Sequence, residues 1–166
     1  MKRWYAVQAK PQEDARAETH LRNQDYEVFR PLLRRRVRRA GRMASRTESL
    51  FPRYLFIRLD DEHENWAPIR STRGVAGLVR FGQRPAPVPE EIIHDINCRI
   101  DPDTGCVDIS GIEQYRPNQP VTITEGPFQG MEAIYRAKKG EDRVIVLLNI
   151  MNREKPVTLP ESAIGR

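Results

Sequence analysis

The sequence predicts an α+β protein in two unequal parts, an N-terminal α/β sandwich of about 100 residues and a small C-terminal unit. Three observations carry this. Strand-like and helix-like segments alternate up to residue 100. Residues 101–118 (DPDTGCVDISGIEQYRPN) are punctuated by Asp, Gly, Pro and Ser without any sustained period, as in a linker. Beyond it, residues 119–166 are close to the smallest size that builds its own core, so that unit is either a small barrel or a segment docked on the first part.

The elements follow in order. WYAVQA is a strand by its aromatic and β-branched content, and the stretch after Pro11, EDARAETHLRNQ, is a helix with Ala15, Ala17 and Leu21 among charged residues. YEVFRPLL gives a second strand, and residues 34–49 a long polar hairpin tip. In LFPRYLFIRLD, Leu50, Pro52, Tyr54 and Phe56 fall on one face at period two and Phe51, Leu55 and Ile57 on the other. A strand apolar on both faces is central and covered twice, or keeps one face for a partner. HENWAPIRSTRG supplies a short helix, GLVRFG a fourth strand, and PEEIIHDINCRI a helix after the Pro-rich residues 85–89.

The C-terminal unit carries two periods at once. As strands, VTIT, EAIYRA, VIVLLNI and PVTLP alternate around the turns EGPFQG and KKGED, the pattern of a five-stranded SH3-like β-barrel. As helices, Met131, Ile134 and Tyr135 line one face and Val144, Leu147, Leu148 and Met151 another, with KKGED joining a helical hairpin.

Charge points to a partner. The chain of 166 residues has 28 Lys and Arg against 23 Asp and Glu, a net charge of +5. The excess is N-terminal: 20 basic against 13 acidic residues in 1–100, and 8 against 10 in 101–166. Seven Arg fall between Arg34 and Arg46 with no acid among them, a run that repels itself unless it meets solvent or a polyanion, so nucleic acid is the leading partner class. No stretch is long and apolar enough to span a membrane, and MKRWYAVQAK lacks the apolar core of a secretory signal, so the expected place is the cytoplasm, without membrane contact. Cys98 and Cys106 are too few for a zinc ribbon or a disulfide framework. Hydrolase or nuclease chemistry lacks its converging groups: His20, His63 and His94 stand in unrelated contexts, and DDEHE at 60–64 has no paired motif.

Several strings, in this order and spacing, resemble the NusG family of transcription elongation factors over nearly the whole chain. They are Trp4-Tyr5, Leu50-Phe51-Pro52 with Tyr54-Leu55-Phe56, Thr72-Arg73-Gly74-Val75, Val79-Arg80-Phe81-Gly82, Val88-Pro89, ITEGPFQGMEAIY and LLNIMN. VRFG and LLNIMN look most like its RfaH branch of specialised paralogues. The resemblance implies a NusG N-terminal (NGN) domain at 1–100, a linker at 101–118 and a C-terminal KOW domain at 119–166. It implies a transcription elongation and antitermination factor without catalysis or cofactor, which binds the RNA polymerase clamp helices, contacts non-template DNA and suppresses pausing and termination. A small-subunit ribosomal protein, coupling transcription to translation, and Rho are further partners of such proteins, and the expected state is a monomer.

Carried over residue by residue, the polymerase-binding positions are Tyr54, Phe56, Val79, Phe81 and Ile96, and the DNA-binding positions Lys10, Arg16, His20, Gln24, Arg70, Thr72 and Arg73, with Arg22 a weaker addition. Arg16, His20 and Gln24 recur every four residues, one polar stripe of a helix whose residue types suit phosphate and base contacts. Arg70 departs from the RfaH pattern, which has an uncharged residue there. Asn65-Trp66-Ala67 stand where RfaH has a His-Thr-Thr segment touching the polymerase gate loop, and Trp66 reads as packed inward.

The RfaH resemblance also implies that the C-terminal unit is a helical hairpin docked on the polymerase-binding patch. Met131, Ile134, Tyr135, Leu147, Leu148, Ile150 and Met151 then cover Tyr54, Phe56, Phe81 and Ile96, with Glu48 and Arg143 bridging the two parts; once released, the unit refolds to the barrel. For Arg143, a solvated turn residue is the competing reading, and for the chain as a whole a KOW-bearing RNA-binding or ribosome-associated protein is the alternative.

Overall fold

The computed structural model describes residues 1–60, 62, 64–108, 122–123, 132–152 and 157–158, with the backbone alone at 35–39, 122–123 and 157–158. Strand β1 (Lys2–Ala9) lies between β5 (Tyr54–Asp60) and β6 (Val75–Leu78), and β2 (Glu27–Phe29) pairs with the far side of β5. All these pairs are antiparallel, with Tyr5 opposite Ile57 and Val28 opposite Ile57 on the other side. The short β9 (Pro87–Val88) pairs with the start of β1.

Period two sends the two sides of this sheet into different cores. Tyr5, Val7, Leu55, Ile57 and Leu59 pack with Ala17 and Leu21 of α1 (Asp14–Arg22), Ile69 of α2 (Ala67–Arg70) and Val75. Ala6 and Phe56 face the other way, toward Ile92, Ile93 and Ile96 of α3 (Glu90–Cys98). β5 is therefore central and covered on both faces.

The parity expected for residues 50–56 is not met, because the strand begins only at Tyr54. Arg53 turns the chain with φ 71, its N–H donating to Asp14 Oδ2 at 2.7 Å, and Phe51 packs edge-on to Phe56 with ring centroids 5.8 Å apart. Leu50, Phe51 and Phe56 thus share one core.

β3 (Leu32–Arg39) and β4 (Arg42–Ser49) form a two-stranded ribbon. Its tip, Ala40–Gly41, has φ of 51 and 76, the two positive values of the tight hairpin turn that follows strand twist. β7 (Arg80–Phe81) and β8 (Arg84–Pro85) make a smaller hairpin.

The first part does not stop at residue 100. Val107 N–H donates to the Leu32 carbonyl at 2.7 Å, Asp108 N–H to that of Arg99 at 2.8 Å, and Val107 is buried. Within the opening eight residues of the expected linker, Cys106 and Val107 are buried and residues 102–105 form an exposed turn; residues 109–118 lie outside the described ones.

In the C-terminal unit the described residues are mainly helical, with one short strand pair. Residues 132–136 are helical (α4), and α5 spans Gly140–Met151. At the ends of the unit β10 (Thr122–Ile123) and β11 (Val157–Thr158) pair antiparallel, within the expected strands VTIT and PVTLP. The buried stripe of α5 is Arg143, Val146, Leu147, Ile150 and Met151, one residue out of phase with the expected Val144, Leu147, Leu148 and Met151. Arg143, a charged residue, lies on the inward face, and Leu148 is only half-buried.

Candidate nucleic-acid interface and the covered apolar face

On the α1 side, sequence-distant residues converge because Gly74 sits against α1. Its φ is +85, and a Cβ there would stand 2.8 Å from the Ala17 backbone nitrogen, so only glycine lets the 71–74 turn approach so closely. Lys10 N–H donates to Gly74 O at 2.8 Å, bringing the end of β1 to the same corner. Lys10, Arg16, His20, Gln24, Arg70 and Arg73 all have solvent-accessible side chains here, His20 partly covered.

Thr72 differs. It is buried, accepts from Gln24 Nε2 at 2.7 Å and donates to Pro68 O at 2.9 Å, so it orients Gln24 and the turn instead of facing outward. Arg16 ion-pairs with Glu13 at 3.0 Å and Arg22 with Glu18 at 3.2 Å, whereas the side chains of Lys10, Arg70 and Arg73 have no hydrogen bond or ion pair among the described residues. Three unneutralised cations beside an imidazole and an amide form a surface suited to an anionic, hydrogen-bonding ligand.

On the opposite side, Phe56 and Ile96 are fully buried and share one core with Ala133, Ile134, Tyr135, Val146, Leu147, Ile150 and Met151, while Tyr54 and Val79 pack at its margin. Met131 lies outside the described residues. Phe81, on the β7–β8 hairpin, is outside the buried cluster and 38% exposed, the most exposed of the five expected polymerase-binding positions.

Arg143 anchors α5 to the first part. It is 1% exposed; Nε donates to Leu50 O at 2.7 Å, Nη1 to Ala137 O at 3.0 Å and to Lys138 O at 3.1 Å, and Nη2 pairs with Glu48 Oε1 at 3.1 Å. The solvated-turn reading of Arg143 is thereby excluded. One guanidinium ties the end of β4, the Leu50 turn and the α4–α5 connection together, each donor finding a carbonyl or carboxylate.

Asp95, Arg99, Pro52 and Gly140 also contribute, although none is among the site residues expected from the sequence. Tyr135 Oη donates to Asp95 Oδ2 at 2.8 Å, Asp95 pairs with Arg99 at 3.1 Å, and the Arg99 guanidinium lies 4.5 Å from the Tyr135 ring centroid. Burial first, and then the Asp95 bond, push the Tyr135 phenol well above its ordinary value. Pro52 and Gly140 meet where α5 begins. Asp95 and Arg99 do show the i,i+4 spacing of a helix pair, but nothing local says that a tyrosine 40 positions away completes it.

The inward reading of Trp66 holds: its ring packs edge-on to Tyr5 at 4.9 Å and its Nε1 donates to Asp60 O at 2.9 Å.

A protein-family model described as transcription termination factor NusG matches residues 2–97. A transcription termination/antitermination protein NusG of Thermus thermophilus is 26% identical over an alignment that takes in 97% of this chain and 96% of the relative. The protein of that name in Deinococcus radiodurans is 26% identical over 98% of each. A solved structure described as domain interaction in Thermotoga maritima NusG aligns with 76% of this chain and 68% of its own at 22% identity and a TM-score of 0.44.

Proposed function

This chain belongs to the NusG family, whose members are non-enzymatic transcription factors that bind RNA polymerase, and from that premise we propose that it is an autoinhibited, RfaH-type elongation and antitermination factor. The apolar face of Tyr54, Phe56, Val79 and Ile96 is its site for the polymerase clamp helices, with Phe81 at the rim. The corner of Lys10, Arg16, His20, Gln24, Arg70 and Arg73 contacts the non-template strand, and Thr72 positions it.

The observation that carries this reading is the cover itself. A sheet face apolar enough to need burial is occupied by helices from the same chain, held by a buried arginine, while the polar face with its unneutralised cations is open. The partner-binding surface is thus closed until α4 and α5 leave, and the DNA surface is available from the start. Released, residues 119–166 form the five-stranded barrel of a KOW domain. The paired β10 and β11, already in place at the two ends of the helical segment, support that second arrangement. The freed barrel then recruits a small-subunit ribosomal protein; Rho is the other candidate partner.

The test is a pair of assays on paused elongation complexes. The full-length chain should bind only when the exposed non-template strand carries its recognition element, and a chain ending at residue 108 should bind without it. Equal binding by both, on any DNA, would remove the autoinhibition reading. Co-purification with ribosomal subunits and no polymerase would favour the RNA-binding alternative.

A further inference from the structure

We propose that the cleft between α2 and the free edge of β6 is a nucleotide subsite, which takes one unpaired nucleotide of single-stranded DNA beside the Gln24–Thr72–Arg73 corner. The inference rests on the DNA-contact reading above and assigns it residues that the resemblance does not supply: Gln8, Trp66 and Arg80.

The cleft has a volume of about 520 Å³, within the range of small-molecule sites and ample for one nucleotide. Its lining includes Arg70 and Arg80 and no carboxylate, so an anion entering it meets two cations and nothing that repels it. Arg70 has no hydrogen bond or ion pair among the described residues, and Arg80 uses Nη1 on the Gln83 carbonyl at 2.9 Å, leaving its other donors for a ligand.

The rest of the lining suits a base. Trp66 is held from two directions, by its Nε1 bond to Asp60 O and by the edge-on contact with Tyr5, so its indole is a fixed wall that loses no rotamer freedom when a base stacks on it. The Gln8 side chain makes no hydrogen bond among the described residues and brings both a donor and an acceptor for a base edge. Ala76 and Gly77 put little bulk on the cleft floor. Thr72, two residues past Arg70, is bonded to Gln24, so the α1 corner and the cleft wall at Arg70 are neighbours.

A peptide adding as a sixth strand is disfavoured, although β6 is an edge. β6 is four residues long, and the register of the β1–β6 pair breaks between Gln8 and Ala9, which makes a short, irregular template.

The experiment uses the full chain carrying Trp4→Phe, which leaves Trp66 as the only tryptophan. A nine-nucleotide single-stranded DNA should quench Trp66 fluorescence on titration. Arg80→Ala, with Arg80→Gln as a second variant, should weaken binding about tenfold, the size of one charge-assisted hydrogen bond, and reduce the salt slope by about 0.7. Gln8→Ala should weaken binding without changing that slope. Arg73→Ala should weaken binding and leave the quench at saturation intact. If Arg80 and Gln8 variants bind like the parent while Arg73→Ala does not, the cleft is no nucleotide site and the α1 corner stands. If none of the variants differs, both readings fall. Quenching by an acidic heptapeptide and not by the oligonucleotide would make the cleft a protein-docking groove and overturn the proposal.

Discussion

Gly140 and Pro52 touch so closely that a side chain on the glycine cannot be accommodated: an added Cβ would lie 2.8 Å from Pro52 Cδ and closer still to Cγ. Gly140 is the first residue of α5, so this contact sets how near the helix starts to the Leu50–Arg53 turn. Two effects of Gly140→Ala oppose each other. Helix propensity favours alanine by about 1 kcal/mol, whereas overpacking against a ring costs about 1–3 kcal/mol. The steric effect acts only in the docked state, so the substitution should release α5, and hydrogen exchange at Val146 and Leu147 should speed up. Slower exchange there would mean that propensity wins and the contact relaxes.

The two partners of the buried ion pair should respond unequally. Glu48→Ser leaves Arg143 three carbonyl acceptors, so its effect is limited to one charge-assisted bond, about 1.5–3 kcal/mol. Arg143→Leu removes the ion pair and all three carbonyl bonds at once, for a loss of about 3–5 kcal/mol of docking. Circular dichroism of the full chain should show less helix in both, more so in Arg143→Leu, with a gain of strand signal as residues 119–166 refold. Equal spectra for parent and both variants would separate the pair from the docking equilibrium.

Tyr135 makes docking sensitive to alkaline pH. Its phenol is held above the ordinary value of 10.0, first by burial and then by the bond to Asp95, so the released form ionises at a lower pH than the docked one. Docking is therefore fully supported below about pH 10 and loses support as pH rises beyond it. Phenolate absorbance should appear together with loss of helix in the parent, and Tyr135→Phe should abolish that coupling while weakening docking at neutral pH by about 1.5–3 kcal/mol, the size of one hydrogen bond to a charged group. A phenolate signal that leaves the helix signal unchanged would sink this account.

What could be read from the sequence differs between the two parts for a physical reason. Alternation along β1 and β5 is a local signal, since neighbouring residues must face opposite cores, and the central position of β5 follows from it. The parity of Phe51 was not legible because it depends on Arg53 adopting a positive φ, held by Asp14 from a distant helix. In α5 the charged Arg143 masks the true stripe: an arginine reads as a surface residue unless its carbonyl acceptors are known, and Leu50 and Ala137 are found only after folding. The polar stripe of Arg16, His20 and Gln24 was legible as a helix face, whereas the burial of Thr72 against Gln24 was not, nor was the cleft that Gln8, Trp66 and Arg80 share.

Two kinds of DNA binding should separate by salt and sequence. The backbone register of the β3–β4 ribbon sets Arg35 opposite Arg46 and Arg39 opposite Arg42, within a run of seven Arg and no acid between Arg34 and Arg46. Replacing Arg34, Arg42 and Arg46 by Gln should weaken binding to all duplex DNA and lower the salt slope by about 0.9 for each phosphate that is no longer neutralised. His20→Ala and Arg73→Ala should instead reduce the preference for one non-template sequence over another. Indistinguishable effects of all these changes on random and specific DNA would remove the readout role from the α1 corner.

Phe81 should separate polymerase binding from autoinhibition, because among the five positions expected to meet the clamp it alone is exposed and outside the buried cluster. A substitution at Phe56 or Ile96 disturbs two things at once, the core under α5 and the surface exposed when α5 leaves. Phe81→Ala touches neither Arg143 nor the buried cluster, so docking, helix content and melting midpoint should stay as in the parent. Polymerase binding by the released chain should fall, since truncating an aromatic anchor at an interface costs about 2 kcal/mol or more. Tyr54→Ala, at the margin of the covered core, should lower both docking and polymerase affinity, and the double variant should abolish polymerase binding while oligonucleotide affinity is kept. The decisive comparison is therefore a chain ending at residue 108 with and without Phe81→Ala, measured against polymerase and against single-stranded DNA. Loss confined to polymerase supports an interface on that side of the sheet. Parallel loss of both affinities would mean that the β7–β8 hairpin supports the fold, and unchanged polymerase affinity would place the clamp contact elsewhere.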